Sequence, residues 1–169
     1  MRTDLYWIAG PWMGRLAIMP RPRGGDWLED EIRFWRQSGI DMVVSLLTRE
    51  EQTELNLPDE GALCLANGIE FVSFPIVDRG IPSDFNAFSG QVMKLSDQLA
   101  EGRNIAIHCR QGIGRAALVA ICILLFSGME HTAAIQRVSE ARGCSVPETA
   151  EQRRLIVDFA SSLVRGTSK

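Results

Sequence analysis

The amino-acid sequence predicts an α/β fold of three layers, with a central, mostly parallel sheet of four to five strands flanked by helices. Three observations point to it. Short apolar runs bounded by turn residues alternate with longer amphipathic stretches along the chain, the signature of βα units. The composition is globular, with 46% hydrophobic and 23% charged residues. The length, 169 residues, suits one domain, and no linker, repeat or low-complexity stretch divides it, so a single domain over residues 1–169 is expected.

Each element has its own local reason. Residues 5–8 and 15–19 read as short strands joined across Gly10-Pro11, followed by the loop Arg21-Pro22-Arg23-Gly24-Gly25. Asp26 and Glu29 have capping-box spacing at the head of a helix that Gly39 closes, with Trp27, Leu28, Ile32 and Trp35 as its core stripe. Residues 41–47, DMVVSLL, form a buried strand. Thr48 and Glu51 make a second capping box at the start of a short helix, and 59–66 is a helix that stops at Asn67-Gly68. The strand 70–77, EFVSFPIV, ends at Asp78. Ser83 caps a long helix to residue 100, with Gly102 past its end. Residues 104–108 are a short apolar strand, 115–126 an apolar helix, and 132–142 and 149–164 two closing helices.

Composition excludes several function classes. A formal net charge of −3 argues against a protein living on nonspecific nucleic-acid contacts. The longest apolar run, 116–126, falls well short of the roughly 20 residues that span a bilayer. The N-terminal MRTDLYWIAGPWM lacks the charged and apolar regions of a signal peptide. Cys64, Cys109, Cys122 and Cys144 form no CxxC pair, and scattered thiols in a chain that needs no disulfide fit a reducing compartment, so a cytoplasmic location is expected. His131 has no companion at ligand spacing, and neither a metal nor any other cofactor is expected. Arg21 and Arg23 read as a solvated loop rather than as a site for a second anion.

The chemistry concentrates in residues 104–126, NIAIHCRQGIGRAALVAICILLF, a strand, a glycine-containing loop and a helix. Ligands of open α/β sheets bind beyond the carboxyl ends of the strands. A helix N-terminus there presents free N–H groups and a positive dipole end to an anion. Gly112 and Gly114 permit the tight path that turns several N–H groups inward. Cys109 and Arg115 sit in the same loop. The helix end and the guanidinium both favour a thiolate, and arginine offers a two-pronged contact to phosphate. A thiolate beneath a bound phosphoryl group is arranged for phosphoryl transfer to sulfur.

His108-Cys109-Arg110-Gln111-Gly112-Ile113-Gly114-Arg115 resembles the HCxxGxxR signature of the cysteine-based protein tyrosine phosphatases, and the size and spacing are most similar to the dual-specificity group, kinase-associated phosphatases included. The resemblance implies the tyrosine phosphatase fold, with Cys109 as the nucleophile that becomes phosphocysteine and Arg115 as the clamp on the phosphate. His108 would hold the loop and tune the thiolate, and the backbone N–H groups of residues 110–114 would bind the phosphate oxygens. It also implies a general-acid aspartate in the loop after the strand 70–77, which is Asp78. The competing reading of Asp78 is a turn-former before Gly80, with Asp84 as a second candidate acid. Val146-Pro147-Glu148-Thr149-Ala150-Glu151-Gln152 is similar to a loop in which a glutamine faces the site, so Gln152 could position the hydrolytic water. The spacing T-x-x-Q supports a capping box at Thr149 and Gln152 equally well.

One departure from the family pattern stands out. Relatives usually carry Ser or Thr after the signature arginine, and here the residue is Ala116. The resemblance assigns that hydroxyl to the leaving thiolate when phosphocysteine breaks down, so slowed hydrolysis of the intermediate is expected. Phosphoinositide phosphatases of the family it resembles tend to carry lysines inside the loop, and here the interior holds none, so the resemblance implies phosphorylated proteins or peptides as partners, with a small phosphorylated metabolite as a further candidate. A monomer without nucleic-acid or membrane partners is expected. Two other functions compete: a module that captures phosphoproteins with impaired turnover, and a rhodanese-like sulfurtransferase. Cys64 or Cys144 could trap an oxidised Cys109 as a disulfide.

Overall fold

The computed structural model describes residues 2–166. The strands are β1 (Tyr6–Ile8), β2 (Leu16–Met19), β3 (Met42–Ser45), β4 (Glu70–Ser73) and β5 (Ile105–His108). The helices are α1 (Leu28–Gln37), α2 (Arg49–Glu54), α3 (Glu60–Ala66), α4 (Phe85–Ala100), α5 (Arg115–Phe126), α6 (His131–Arg142) and α7 (Ala150–Gly166). One sheet runs in the order β1-β2-β5-β3-β4. Only the edge strand β1 is antiparallel to its neighbour, while β2, β5, β3 and β4 pair in parallel. The expected α/β architecture with a mostly parallel sheet is the one observed.

The central strands are buried on both faces, so they read as continuous apolar runs rather than as alternating ones. Ile105 and Ile107 face a core built with α4, α5, α6 and α7. Ala106 faces the opposite core, with Trp35 of α1 and Cys64 of α3. The α5 helix is apolar all round after Arg115 because every residue from Arg115 to Leu125 is buried. Its position behind β5 presents its N-terminus at the carboxyl end of the sheet. No helix among the described residues is long and apolar enough to cross a membrane.

Three local expectations differ from the structure. Asp26 and Glu29 form no capping box: the chain enters α1 through a 3-10 turn at Gly25–Trp27, and no side chain caps the helix. Trp27 leaves the core stripe for the same reason. It lies in that turn, 57% exposed, under the Arg23 guanidinium 4.9 Å away. Asp84 rather than Ser83 caps α4, its Oδ1 accepting from Ala87 N at 2.9 Å. Asp84 is thereby committed to the helix end.

The strand leading to Asp78 is regular only through Ser73, yet its pairing with β3 continues. Phe74 N donates to Ser45 O and Ile76 N donates to Leu46 O, at 2.9 and 3.0 Å. Pro75, between them, has no N–H to offer, and the alternation would point it toward the open edge in any case.

Candidate active site

The loop after β5 lies at the middle of the sheet, beyond the carboxyl ends of β2, β5 and β3. Its backbone carbonyls are tied outward: His108 O accepts from Leu46 N at 3.0 Å, Arg110 O from Arg21 N at 3.2 Å and Gln111 O from Arg142 Nη2 at 3.2 Å. With the carbonyls held on the outside, the loop is shaped to expose its N–H groups to an anion. Gly112 has φ 70°, and a Cβ there would come within 2.8 Å of the Met19 backbone. Its amide donates to Cys109 Sγ at 3.3 Å.

Cys109 is buried at the base of a small cavity of about 90 Å³, lined also by Asp78, Arg79, Arg110, Arg115 and Glu148. Gln111, Ile113 and Gly114 complete the loop side of the cavity. The other thiols are elsewhere. Cys64 packs in the core on the far face of the sheet from Cys109, Cys122 is inside α5, and Cys144 is exposed. Burial raises the Cys64 and Cys122 thiols well above their usual range, helped at Cys64 by the Glu60 carboxylate. Neither has the character of a nucleophile.

Arg115 is the most constrained side chain of the site, 1% exposed. Its Nη1 donates to Glu51 Oε2 at 2.7 Å and to Ile76 O at 2.8 Å, and its Nη2 to Glu51 Oε1 at 2.9 Å and to Asp78 Oδ1 at 2.8 Å. Burial alone would lower its pKa. The Glu51 hydrogen bond and the charges of Cys109, Glu51 and Asp78 outweigh this and hold the guanidinium above its usual value. Burial likewise raises the Glu51 carboxyl, but hydrogen bonds from Arg115 and Thr48 N, the Arg115 charge and Arg110 hold it below the usual carboxylate range.

Glu51 is the site residue that the sequence conceals most. Its capping box with Thr48 was legible and is present, with Thr48 N donating to Glu51 Oε2 at 3.0 Å and Glu51 N to Thr48 Oγ1 at 3.3 Å. That the same carboxylate orients Arg115 had no local signal. Glu60 is concealed too: His108 Nε2 and Glu60 Oε1 lie 2.7 Å apart, both fully buried on the Trp35 side of the sheet. Arg110 borders the cavity with its guanidinium already engaged. It is paired with Glu51 at 3.2 Å and Glu54 at 3.1 Å.

Of the two readings of Gln152, the capping box is the one the structure shows. Gln152 closes it with Thr149, each bond 3.2 Å. It is also fully buried against the loop that carries Asp78, its Nε2 donating to Gly80 O at 3.0 Å. Arg21 and Arg23 stay out of the cavity: Arg23 pairs with Glu31, and Arg21 reaches the carbonyl of Pro22. Among the described residues no group of three His, Cys, Asp or Glu side chains converges in a way that could hold a metal ion.

Residues 17–129 match the family model described as "Polymorphic toxin system, DSP-PTPase phosphatase". The chain is 31% identical over 130 residues to cyclin-dependent kinase inhibitor 3 of Rattus norvegicus, an alignment that covers 76% of this chain and 61% of the rat protein. Its fold is similar to that of kinase-associated phosphatase carrying a catalytic cysteine-to-serine substitution, with a TM-score of 0.88, 23% identity and 97% coverage of both chains. It is similar also to Tk-PTP in its active form, with a TM-score of 0.77, 25% identity and coverage of 93% and 96%.

Proposed function

Because the chain belongs to the DSP-PTPase phosphatase family of polymorphic toxin systems, we propose that it hydrolyses phosphomonoesters on proteins or peptides through a phosphocysteine. The observation that carries this reading is the convergence on one cavity of the Cys109 thiol, the buried Arg115 guanidinium and the Asp78 carboxyl. A sulfurtransferase has no use for a general acid in the nucleophile's cavity.

In the proposed reaction the phosphate enters with its oxygens toward the N–H groups of residues 110–114, and Arg115 takes two of them in a forked contact. The Cys109 thiolate attacks phosphorus in line. The bond to the leaving oxygen breaks as the protonated Asp78 delivers its proton there, a contribution of about 10²–10⁴-fold where the leaving group is poor. Water then attacks the phosphocysteine, giving its proton to Asp78 and releasing phosphate and thiolate. Gln152 could orient that water only by releasing its bond to Gly80. His108, gripped by Glu60, would hold the loop from behind.

The small cavity contains no lysine among its lining residues, which supports phosphoprotein rather than phosphoinositide substrates. A thiolate nucleophile also fits a reducing, cytoplasmic setting. Ala116 favours one second reading, a phosphoprotein-capture module with slow turnover.

A panel of phosphotyrosine, phosphoserine and phosphothreonine peptides alongside p-nitrophenyl phosphate tests the proposal. Hydrolysis is expected with the native chain, and Cys109→Ser should abolish it while keeping phosphopeptide binding. Binding without hydrolysis by the native chain would favour capture, and activity that survives Cys109→Ser would end the phosphocysteine reading.

A further inference from the structure

The tip of the loop that carries Asp78 has little packing of its own. Val77, Asp78 and Arg79 are all exposed, and Arg79 has φ 60°, a region that a side-chain-bearing residue keeps only when its surroundings impose it. Polar ties hold the loop in place. Asp78 Oδ1 accepts from Arg115 Nη2 at 2.8 Å, Arg79 Nη1 donates to Glu148 Oε1 at 2.8 Å and Gln152 Nε2 donates to Gly80 O at 3.0 Å.

The first tie cannot last through the proposed reaction. A phosphate bound by Arg115 competes with Asp78 for the same guanidinium edge, because Nη1 and the rest of Nη2 are already engaged by Glu51 and Ile76 O. Asp78 must then turn to the leaving oxygen. The buried Ile76 and the partly buried Ile81 anchor the two ends of the loop, and the two polar ties that remain between them come from one place, the turn that enters α7. The Gln152 amide is set for this, since Thr149 N occupies its Oε1 and leaves Nε2 aimed at Gly80. Glu148 lines the cavity itself, and its charge is met by Arg79.

We propose that Glu148 is a positioning residue that, through Arg79, latches the Asp78 loop over the cavity while Arg115 is given to the phosphate. The proposal rests on the phosphatase reading above, with Asp78 as the acid. It assigns the Arg79–Glu148 pair a part in acid catalysis that neither residue takes by touching substrate.

The test compares kcat/KM for p-nitrophenyl phosphate, whose leaving group needs no proton, with that for phenyl phosphate, whose leaving group does. The ratio cancels any common effect on phosphate binding. Arg79→Ala and Glu148→Ala are each expected to lose roughly tenfold on phenyl phosphate and little on p-nitrophenyl phosphate, part of the ~10²–10⁴-fold a positioned acid contributes. The double variant should lose no more than either single one, as two residues acting through one contact do. Equal losses on both substrates, or none, while Asp78→Asn shows the selective loss, would overturn the latch and leave the acid standing. No selective loss in Asp78→Asn would overturn the acid assignment and the latch with it.

Discussion

At the residue scale, a single methyl group carries the sharpest kinetic expectation. Ala116 is buried directly behind Arg115 at the start of α5, where the family pattern calls for a hydroxyl. A hydrogen bond to a charged group contributes about 1.5–3 kcal/mol, roughly ten- to a hundredfold in rate. Its loss should fall on the second step, in which the thiolate departs. Rapid mixing with p-nitrophenyl phosphate should show a burst of p-nitrophenol followed by slow turnover, and Ala116→Ser should raise the steady rate and shrink the burst. A native chain without a burst, with a serine variant no faster, would show that the missing hydroxyl does not limit the reaction.

At the element scale, the loop after β5 depends on a close approach to β2. Gly112 combines φ 70° with a Cβ position 2.8 Å from the Met19 carbonyl carbon and oxygen, and backbone cannot move aside as a side chain can. Gly112→Ala should destabilise by about 1–3 kcal/mol from the dihedral alone, with further loss from the clash, and should abolish phosphate binding. Gly90 is the matched control: it lies inside α4, and a Cβ added there would meet nothing within 4 Å, so Gly90→Ala should stabilise by about 0.5–1 kcal/mol. Urea denaturation of the two variants should give opposite signs. The helices themselves are readable from their stripes and caps. Thr48 and Glu51, and Thr149 and Gln152, form the boxes their spacing predicts. Asp26 and Glu29 share that spacing and form none, because the backbone enters α1 by a tighter turn that a spacing rule does not see.

At the scale of the whole molecule, the carboxyl end of the sheet gathers opposed charges around the buried Arg115. Glu51 couples that site to stability. Its carboxyl is held below the usual range when folded, so the stabilisation is fully present above the ordinary glutamate value of about 4.3 and is lost as pH falls through the lowered folded value. The melting temperature should therefore drop on acidification from about pH 5 downward, where the unfolded chain begins to bind more protons than the folded one. Glu51→Gln should melt lower at neutral pH and show a shallower acid decline. An unchanged acid slope in that variant would mean that other carboxylates dominate the transition.

The residue order alone was enough to find the α/β fold, the strand-loop-helix at residues 104–126 and the pairing of Cys109 with Arg115 inside one loop. These are properties of neighbours along the chain, where periodicity, capping and glycine placement act over a few residues. Tertiary structure decided which distant groups meet them. Glu51 and Asp78 reach Arg115 across separations of 64 and 37 residues, Glu60 reaches His108 across 48, and Glu148 reaches Arg79 across 69. Nothing near Glu51, Glu60 or Glu148 in the sequence marks them apart from other glutamates on helix ends. For Glu51 and Glu60 significance comes from burial beside a cation or an imidazole, and for Glu148 from an exposed ion pair with Arg79; each is settled only when the sheet brings the carboxyl ends of its parallel strands together.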